Sequence, residues 1–242
     1  MAAMEQSVSV MLRHELKYLI DPDQERYFIR RIADYMQPDC YGLTPIASLY
    51  YDTPDCRLIN LSLEKPRFKE KIRLRSYGLA TDESPVFLEM KRKYRGVGYK
   101  RRVQTVIPVA EGFFRRENDL PGGGQIGREL VRFRDVYGDL APSYLTICDR
   151  TAFFRPDSDL RLTIDNAPRY RAEDLDLRIS MEGSLLLPEG YSVLEIKIQD
   201  AMPLWLSAIL DEGHIYKTSF SKYGTAYQTQ MTKTMSGGML HV

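Results

Sequence analysis

Cysteine and histidine are scarce in this 242-residue sequence, which contains three of each. Cys40, Cys56 and Cys148 are odd in number and widely spaced, which argues against both a disulfide framework and a zinc site. The three histidines form no pair at the spacing of metal ligands. Long apolar runs are also absent, and none approaches the roughly 20 residues that a membrane-spanning helix needs.

An excess of charge of either sign is missing as well. The formal net charge of +1 excludes a globally basic protein that coats nucleic acid by charge alone, so any strong positive field must be local. The first ten residues, MAAMEQSVSV, lack the basic segment and apolar core of a secretory leader. With so few cysteines, this favours a cytoplasmic protein. The length and the 43% hydrophobic content predict a single β-rich domain.

Ionisable residues at every second position are the main feature that is present. Around Glu89 they alternate with apolar residues, and the same alternation recurs in four further segments. Side chains at alternate positions of a strand share one face. One such strand would be an ordinary solvated sheet surface, but five suggest that charged faces look at one another across a shared space. The five sets are Glu15 and Lys17; Lys71, Arg73 and Arg75; Glu89, Lys91 and Lys93; Arg161 and Asp165; and Glu195 and Lys197.

Helix signals lie between these segments. Asp21 and Pro22 read as the N-cap and first residue of one helix. The apolar spacing from Ile126 to Val136 predicts a second helix, and Ser219 to Met231 a closing one. Arg57 to Leu63 fits either a helical turn or a strand. Further strands are predicted at Tyr99 to Val109 and Leu175 to Met181.

The predicted charged faces carry more cations than carboxylates. Burying many like charges in a poorly solvated space is costly, so a polyanion should occupy that space. Arginine forks and lysine ammonium groups are the side chains that grip phosphate oxygens. The candidates for this role are Lys17, Arg73, Arg75, Lys91, Lys93, Arg150 and Arg161.

The carboxylates of these strands have two possible roles. Glu195, Glu89 and Glu15 could simply neutralise neighbouring cations. Alternatively, one or two of them could bind a hard divalent cation together with substrate phosphates, which is the usual magnesium arrangement. Glu195 is the first choice of metal ligand. The glycine-rich stretch that ends at Glu129 is not a P-loop, because Arg128 and Glu129 occupy the positions where a P-loop requires lysine and serine or threonine.

Seven short motifs, in this order, resemble the VTC domain family, the polyphosphate polymerase domain of the vacuolar transporter chaperone within the triphosphate tunnel metalloenzyme (CYTH-like) superfamily. They cover most of the chain from Arg13 to about Tyr227. The motifs are RHELKY from Arg13, SLYYDT from Ser48, KIRLRSYG from Lys71, FLEMKRK from Phe87, RLTIDN from Arg161, LEIKI from Leu194 and SFSKY from Ser219.

The resemblance implies an α+β fold, in which an antiparallel β-barrel of about eight strands forms a closed tunnel with helices packed outside. Residues 13–231 would form this domain, flanked by flexible termini at 1–12 and 232–242. Phosphates would bind Lys17, Arg73, Arg75, Lys91, Lys93, Arg150 and Arg161. A further phosphate-binding residue would be Arg101 or Lys100, depending on the strand register after the preceding loop. Glu195, with Glu89 and Glu15, would bind Mn²⁺ or Mg²⁺. Lys222 would lie near the transferred phosphoryl group, with Arg73 and Arg75 beside it.

The implied reaction is transfer of the ATP γ-phosphate to inorganic polyphosphate. Two alternatives stay open: a tripolyphosphatase or nucleoside triphosphatase on the same scaffold, and a non-catalytic module that binds polyphosphate or inositol phosphates. The expected partners are ATP, polyphosphate and a separate membrane protein, which would hold the domain at the inner face of a membrane. Nucleic acid is not an expected partner.

Overall fold

The computed structural model describes residues 14–95, 97–120, 124–199 and 201–238. Its strands are β1 His14–Ile20, β2 Gln37–Pro38, β3 Thr44–Asp52, β4 Phe68–Tyr77, β5 Val86–Tyr94, β6 Val97–Thr105, β7 Ala141–Phe154, β8 Arg161–Arg171, β9 Ser184–Leu185, β10 Ser192–Ile198 and β11 Lys217–Thr218. Its helices are α1 Pro22–Ile32, α2 Arg57–Leu63, α3 Ile107–Phe114, α4 Gln125–Tyr137, α5 Leu204–Glu212 and α6 Lys222–Gly238. None of these helices is long and apolar enough to cross a membrane.

The strands form one antiparallel sheet in the order β11-β1-β10-β8-β7-β3-β4-β5-β6, with β2 and β9 added beside β7 and β8. Three strands have only two residues, so eight longer strands build the sheet, as the sequence predicts. The predicted closed barrel is not confirmed. Closure requires hydrogen bonds between the first and last strands, whereas within the described residues β1 pairs with β11 and β10, and β6 pairs only with β5.

Helices α1, α3, α4 and α5 pack on the apolar side of the sheet, whereas α6 packs with Tyr50 and Tyr144 of β3 and β7. The apolar faces of β3 to β6 pack with α3 and α4, around Leu88, Phe113 and Phe133. The apolar faces of β1, β8 and β10 pack with α1 and α5. Full burial of a side chain such as Leu88 stabilises the fold by about 1.5–3 kcal/mol. Because these apolar faces hold the helices, the opposite faces of the same strands are left to the charged residues.

Local signals account for most element boundaries. The Asp21 side chain accepts hydrogen bonds from the amides of Asp23 and Gln24, which confirms the predicted start of α1. Residues 57–63 form a helix. Two strand predictions are wrong: β6 ends at Thr105, since Pro108 enters the first turn of α3, and residues 175–181 form turns and bends.

The chain ends differ in part from the sequence-based boundaries. The closing helix, expected to end at Met231, continues to Gly238, so most of the segment expected to be a flexible tail is helical. The N-terminal segment 1–12 and Arg13 lie outside the described residues, as do residues 239–242.

Candidate functional site

One side of the sheet collects ionisable side chains from seven strands, joined by Lys222 from α6. We call this surface the charged face. Strand register explains it, because directly paired residues share a face: Lys71 pairs with Lys91 and Lys91 with Lys100, while Lys17 pairs with Glu195. The charged face includes nine cations and four carboxylates: Lys17, Lys71, Arg73, Arg75, Lys91, Lys100, Arg150, Lys197 and Lys222, with Glu15, Glu89, Asp165 and Glu195. Arg102 shares this side, because it pairs with Glu89 in the sheet.

The sheet curls so that distant strands face each other. Glu15 on β1 and Lys91 on β5 are separated by five strands in the sheet order, yet the charge of Lys91 helps to lower the pKa of Glu15. Likewise, Lys17 on β1 contributes to lowering the pKa of Lys71 on β4. The start of α6 also contacts both halves of the sheet, because Ser221 Oγ lies 3.4 Å from Lys71 Nζ on β4 and Lys222 pairs with Asp165 on β8. The charged faces of the two halves of the sheet therefore enclose one space.

Glu89 lies at the centre of the half formed by β4, β5 and β6, and its side chain is fully buried. Its Oε2 accepts hydrogen bonds from Arg73 Nε at 2.8 Å and Nη2 at 2.6 Å. Lys100 also pairs with it, and Arg75 Nε lies 3.8 Å away. Burial alone would raise the pKa of Glu89, but these cations hold it well below the usual range. This carboxylate is therefore ionised; Oε2 accepts from Arg73, while Oε1 forms an ion pair with Lys100 and accepts no hydrogen bond from the described residues.

Lys17 lies between two carboxylates in the other half. Its Nζ is 3.1 Å from Glu195 Oε1 and 3.3 Å from Glu15 Oε1. Burial opposes its charge, but Glu195 and Glu15 raise the pKa of Lys17 above its ordinary value. Glu195 is also 3.4 Å from Lys197. Against the effect of burial, Lys17 and Lys197 keep the pKa of Glu195 well below the usual range.

Lys222 is the first residue of α6 and reaches the same half of the charged face. It forms an ion pair with Asp165 Oδ2, and Arg150 binds both oxygens of that carboxylate at 2.5 and 2.7 Å. Although burial opposes the charge, Asp165 raises the pKa of Lys222. The ammonium group therefore stays charged where the positive end of a helix dipole lies.

Two lysines of the charged face have no carboxylate within 4 Å among the described residues. Lys71 Nζ has only Ser221 Oγ at 3.4 Å and the Tyr223 ring centre at 5.4 Å. Burial, followed by the charges of Lys69 and Lys17, lowers the pKa of Lys71 to about 8. Lys91 is exposed. The Arg73 charge, followed by desolvation of the ammonium group, lowers the pKa of Lys91 well below its ordinary value. The site thus has unbalanced positive charge, which an anion would relieve.

The structure brings together most of the residues that the sequence nominates. Lys17, Arg73, Arg75, Lys91, Arg150, Lys222, Glu15, Glu89 and Glu195 all lie on the charged face. Lys93 and Arg161 share that side but are exposed near strand ends. Arg101 is a correction: it pairs with Met90 in the sheet, so it lies on the opposite face, where its Nε is 3.5 Å from Glu129. Register places Lys100 on the charged face instead.

Sequence reasoning missed the roles of Asp165 and Tyr50. Asp165 was recognised as part of an alternating strand, but only the fold shows that Arg150 and Lys222 converge on it. The Tyr50 hydroxyl accepts a hydrogen bond from Arg73 Nη1 at 3.0 Å. The sequence signal for Tyr50 was its alternation with Ser48 in β3. Their partners in β4 are Arg73 and Arg75.

The three predicted metal ligands differ in how well they fit a divalent cation. Glu15 and Glu195 share the ammonium group of Lys17, and the Glu195 charge opposes ionisation of Glu15. They therefore form a two-carboxylate site that phosphate oxygens could complete. Glu89 does not fit, because Arg73, Arg75 and Lys100 already surround it. No group of three His, Cys, Asp or Glu side chains suited to a metal occurs among the residues described.

These features define the class of protein: an α+β domain whose curled antiparallel sheet encloses a strongly cationic surface. Two solved structures share the fold. A Hippeastrum protein described as an adenylyl cyclase with a dominant triphosphatase activity has a TM-score of 0.52 and 15% identity, covering 89% of this chain and 95% of that one. A Bacillus halodurans protein described as an adenylate cyclase has a TM-score of 0.51 and 13% identity, covering 87% and 96%.

Sequence comparison identifies the family. The VTC domain matches residues 12–231, so the chain belongs to the VTC domain family. Subunit 4 of the vacuolar transporter chaperone complex of Trypanosoma cruzi is 27% identical over 87% of this chain and 33% of its own length. Subunit 2 of the Saccharomyces cerevisiae complex is 26% identical over 67% of this chain and 26% of its own length. The chain thus spans a third or less of these two relatives.

Proposed function

We propose that this protein transfers the γ-phosphate of ATP to inorganic polyphosphate along the charged face. The observation that carries the proposal is the excess of nine cations over four carboxylates in one enclosed space, with Lys71 and Lys91 lacking carboxylate partners. A chain of phosphates supplies the missing negative charge. Membership of the VTC domain family supports the same substrate class.

The cations divide into two roles. Arg73 is held by Glu89 and Tyr50, so it mainly contributes charge and orients its neighbours. Lys71, Lys91 and Arg75 have hydrogen-bonding capacity left for phosphate oxygens, with about 1.5–3 kcal/mol for each hydrogen bond to a charged group. Lys17, Lys100, Arg150, Lys93 and Arg161 would extend this surface.

Lys222 acts as an electrostatic stabiliser of the transferred phosphoryl group. Phosphoryl transfer needs alignment and charge neutralisation more than covalent help from the protein. Lys222 meets this need because Asp165 keeps it protonated. Its raised pKa makes it a poor nucleophile, since the neutral amine is rare near neutral pH.

Glu195 and Glu15 would hold Mn²⁺ or Mg²⁺. When bound, the metal would neutralise charge on the phosphate oxygens. The positive charge of Lys17 beside both carboxylates limits the affinity of the free site, so we expect metal to bind together with the substrate phosphates. Glu89 would contribute only by neutralising its three cations.

The decisive experiment is incubation of the purified protein with ATP and Mn²⁺, with ADP, orthophosphate and chain length measured separately. ADP together with long polyphosphate is the expected outcome. Orthophosphate as the sole phosphate product would reject polymerase activity and favour a triphosphatase, the activity described for the structurally similar Hippeastrum protein. Tight triphosphate binding without turnover under any divalent metal would instead identify a binding module.

Lys222→Ala and Glu195→Gln should each abolish turnover with a thermal transition close to that of the parent. Asp165 keeps its two hydrogen bonds from Arg150 when Lys222 is removed, so no unpaired buried carboxylate results. Lys233→Ala is the matched control, because it removes an exposed lysine of the same helix. Wild-type turnover in both site variants would reject these assignments.

The similar proteins from Trypanosoma cruzi and Saccharomyces cerevisiae are named as subunits of a complex. We therefore propose that this protein works with a separate membrane protein, on the cytoplasmic side. Co-purification from detergent-solubilised membranes would test this. Recovery of the tagged chain without any membrane protein would contradict it.

A further inference from the structure

A buried carboxylate outside the charged face connects three elements. Asp52, at the end of β3, is only 2% exposed. It accepts hydrogen bonds from the amides of Thr53 and Leu58, both at 2.8 Å, and of Ile59 at 3.0 Å. The last two amides belong to the first turn of α2, so Asp52 satisfies donors that a helix start leaves free. It also accepts from the Thr53 hydroxyl at 3.4 Å and from the Tyr223 hydroxyl at 2.7 Å.

Tyr223 is the residue that follows Lys222, and its side chain is almost fully buried. Its ring stacks on Tyr50 with the centroids 4.3 Å apart. Burial and the nearby Asp52 charge raise the pKa of Tyr223, so its hydroxyl remains a donor. The carboxylate at the end of β3 and this hydroxyl therefore fix the first turn of α6 against the sheet.

That turn and the residue before it also carry two side chains that face the site. Lys222 pairs with Asp165, and Ser221 Oγ is the sole hydrogen-bonding partner of Lys71 Nζ among the described residues. Ser221 also accepts a hydrogen bond from the Gly224 amide at 3.2 Å. A shift of this turn would therefore move Lys222 and Ser221 together.

We propose that Asp52 and Tyr223 are positioning residues, which set the place of Lys222 on the charged face through the hydrogen bond between them; the Tyr223 hydroxyl also contacts Ser143 Oγ at 3.2 Å. The inference rests on the proposed function, since it assigns Lys222 a contact with the substrate phosphates. A misplacement of about 1 Å in a reacting arrangement can cost 100-fold in rate. Neither positioning residue touches the phosphates itself.

Tyr223→Phe isolates the effect, because it keeps the stacked ring and removes only the hydroxyl. Asp52 retains three amide donors, so the variant should fold. We expect about a tenfold loss of tripolyphosphate affinity, and of kcat for ATP, at a melting temperature close to that of the parent. Tyr170→Phe is the matched control. It removes another hydroxyl that donates to α6, to Gln230 Oε1 at 3.4 Å, and Gln230 lies further along the helix than Lys222.

A double-mutant cycle separates positioning from a general structural role. In the Lys222→Ala background, Tyr223→Phe should cause no further loss of tripolyphosphate affinity, because the residue that it positions is gone. Equal losses in both backgrounds, or no loss in either, would overturn the proposal. If Tyr223→Phe does not fold, Asp52→Asn enters the same cycle. It keeps the Oδ1 contacts to Thr53 and Leu58 and replaces Oδ2, which accepts from both Ile59 and Tyr223, so its melting temperature is compared with that of the parent.

The cycle uses binding alone, so it does not depend on turnover. Coupling between Tyr223 and Lys222 in a protein that makes no polyphosphate would reject the proposed function and keep the positioning pair. Polyphosphate synthesis without coupling would reject the positioning pair and keep the function.

Discussion

Lys71 shows how one side chain links pH to ligand binding. Its pKa of about 8 means that a substantial fraction is neutral at slightly alkaline pH, whereas phosphate binding favours the protonated form. Tripolyphosphate affinity should therefore fall as the pH rises from about 7 to 9, and binding should take up protons in this interval. Lys100, whose pKa is also lowered to about 8, chiefly by burial, adds to the effect.

Calorimetric titrations in buffers of different ionisation enthalpy would measure this proton uptake. Lys71→Arg is the control, since a guanidinium stays charged throughout the range. The variant should take up fewer protons and retain more affinity at pH 9. Identical pH profiles of parent and variant would show that Lys71 does not titrate in the site.

Arg73 also has a structural role in addition to its charge. Its guanidinium supplies two hydrogen bonds to fully buried Glu89. Removing one partner of a buried pair costs about 3–5 kcal/mol, because the remaining charge lacks compensation. Lys100 and Arg75 remain beside Glu89 in Arg73→Ala. We therefore expect the free energy of unfolding to fall by about 3 kcal/mol, the lower end of this range.

Chemical denaturation of Arg73→Ala and of the double variant Arg73→Ala/Glu89→Gln would check the cause. The second substitution removes the uncompensated charge, so it should restore part of the lost stability. A double variant less stable than Arg73→Ala would show that Glu89 contributes stability independently of Arg73.

Strand β5 illustrates at the scale of an element how one sequence serves both the core and the site. Leu88 is fully buried against the helices, whereas Lys93 is exposed on the charged side. Leu88→Ala should cost about 2–5 kcal/mol of unfolding free energy and leave polyphosphate affinity of the folded protein unchanged. Lys93→Ala should do the reverse, changing stability by no more than about 0.5 kcal/mol.

Urea unfolding and polyphosphate titration of the two variants form the test. Each variant serves as the control for the other, because the substitutions lie on opposite faces of one strand. A loss of affinity in Leu88→Ala at a concentration where it is folded would mean that the two faces are coupled.

The sequence predicted correctly those helices and strands whose local pattern fits only one type of secondary structure. The cap at Asp21 and the alternation in β1, β4, β5 and β10 each specify one structure. By contrast, residues 57–63 fit two structures, and the Asp52 contacts with the Leu58 and Ile59 amides explain why the helix forms. The predicted strand up to Val109 failed because β-branched residues around Pro108 resemble a strand although they form a helix.

The whole molecule combines a net charge of only +1 with a cationic enclosed surface. On the proposed function, a linear phosphate chain lies between the two halves of the curled sheet, and a DNA duplex is excluded from it. We therefore expect tripolyphosphate and polyphosphate to compete with each other, with affinities that decrease as salt increases. A 20-base-pair duplex should not compete at a matched phosphate concentration.

Fluorescence competition at two salt concentrations would measure these affinities. Displacement of polyphosphate by the duplex at equal phosphate concentration would indicate that the binding cations lie on an open surface. Bovine serum albumin at the same protein concentration controls for non-specific adsorption of the polyanion.

The sequence by itself determined which strands have a charged and an apolar side, because strand periodicity is local and needs no partner. The tertiary structure decided which charges meet. Register selected Lys100 over Arg101, and the path of α6 brought Lys222 to Asp165 across 57 positions of sequence. It also decided that β6 finds no strand partner beyond β5 among the described residues. Such contacts depend on the packing of distant segments, which local patterns do not specify.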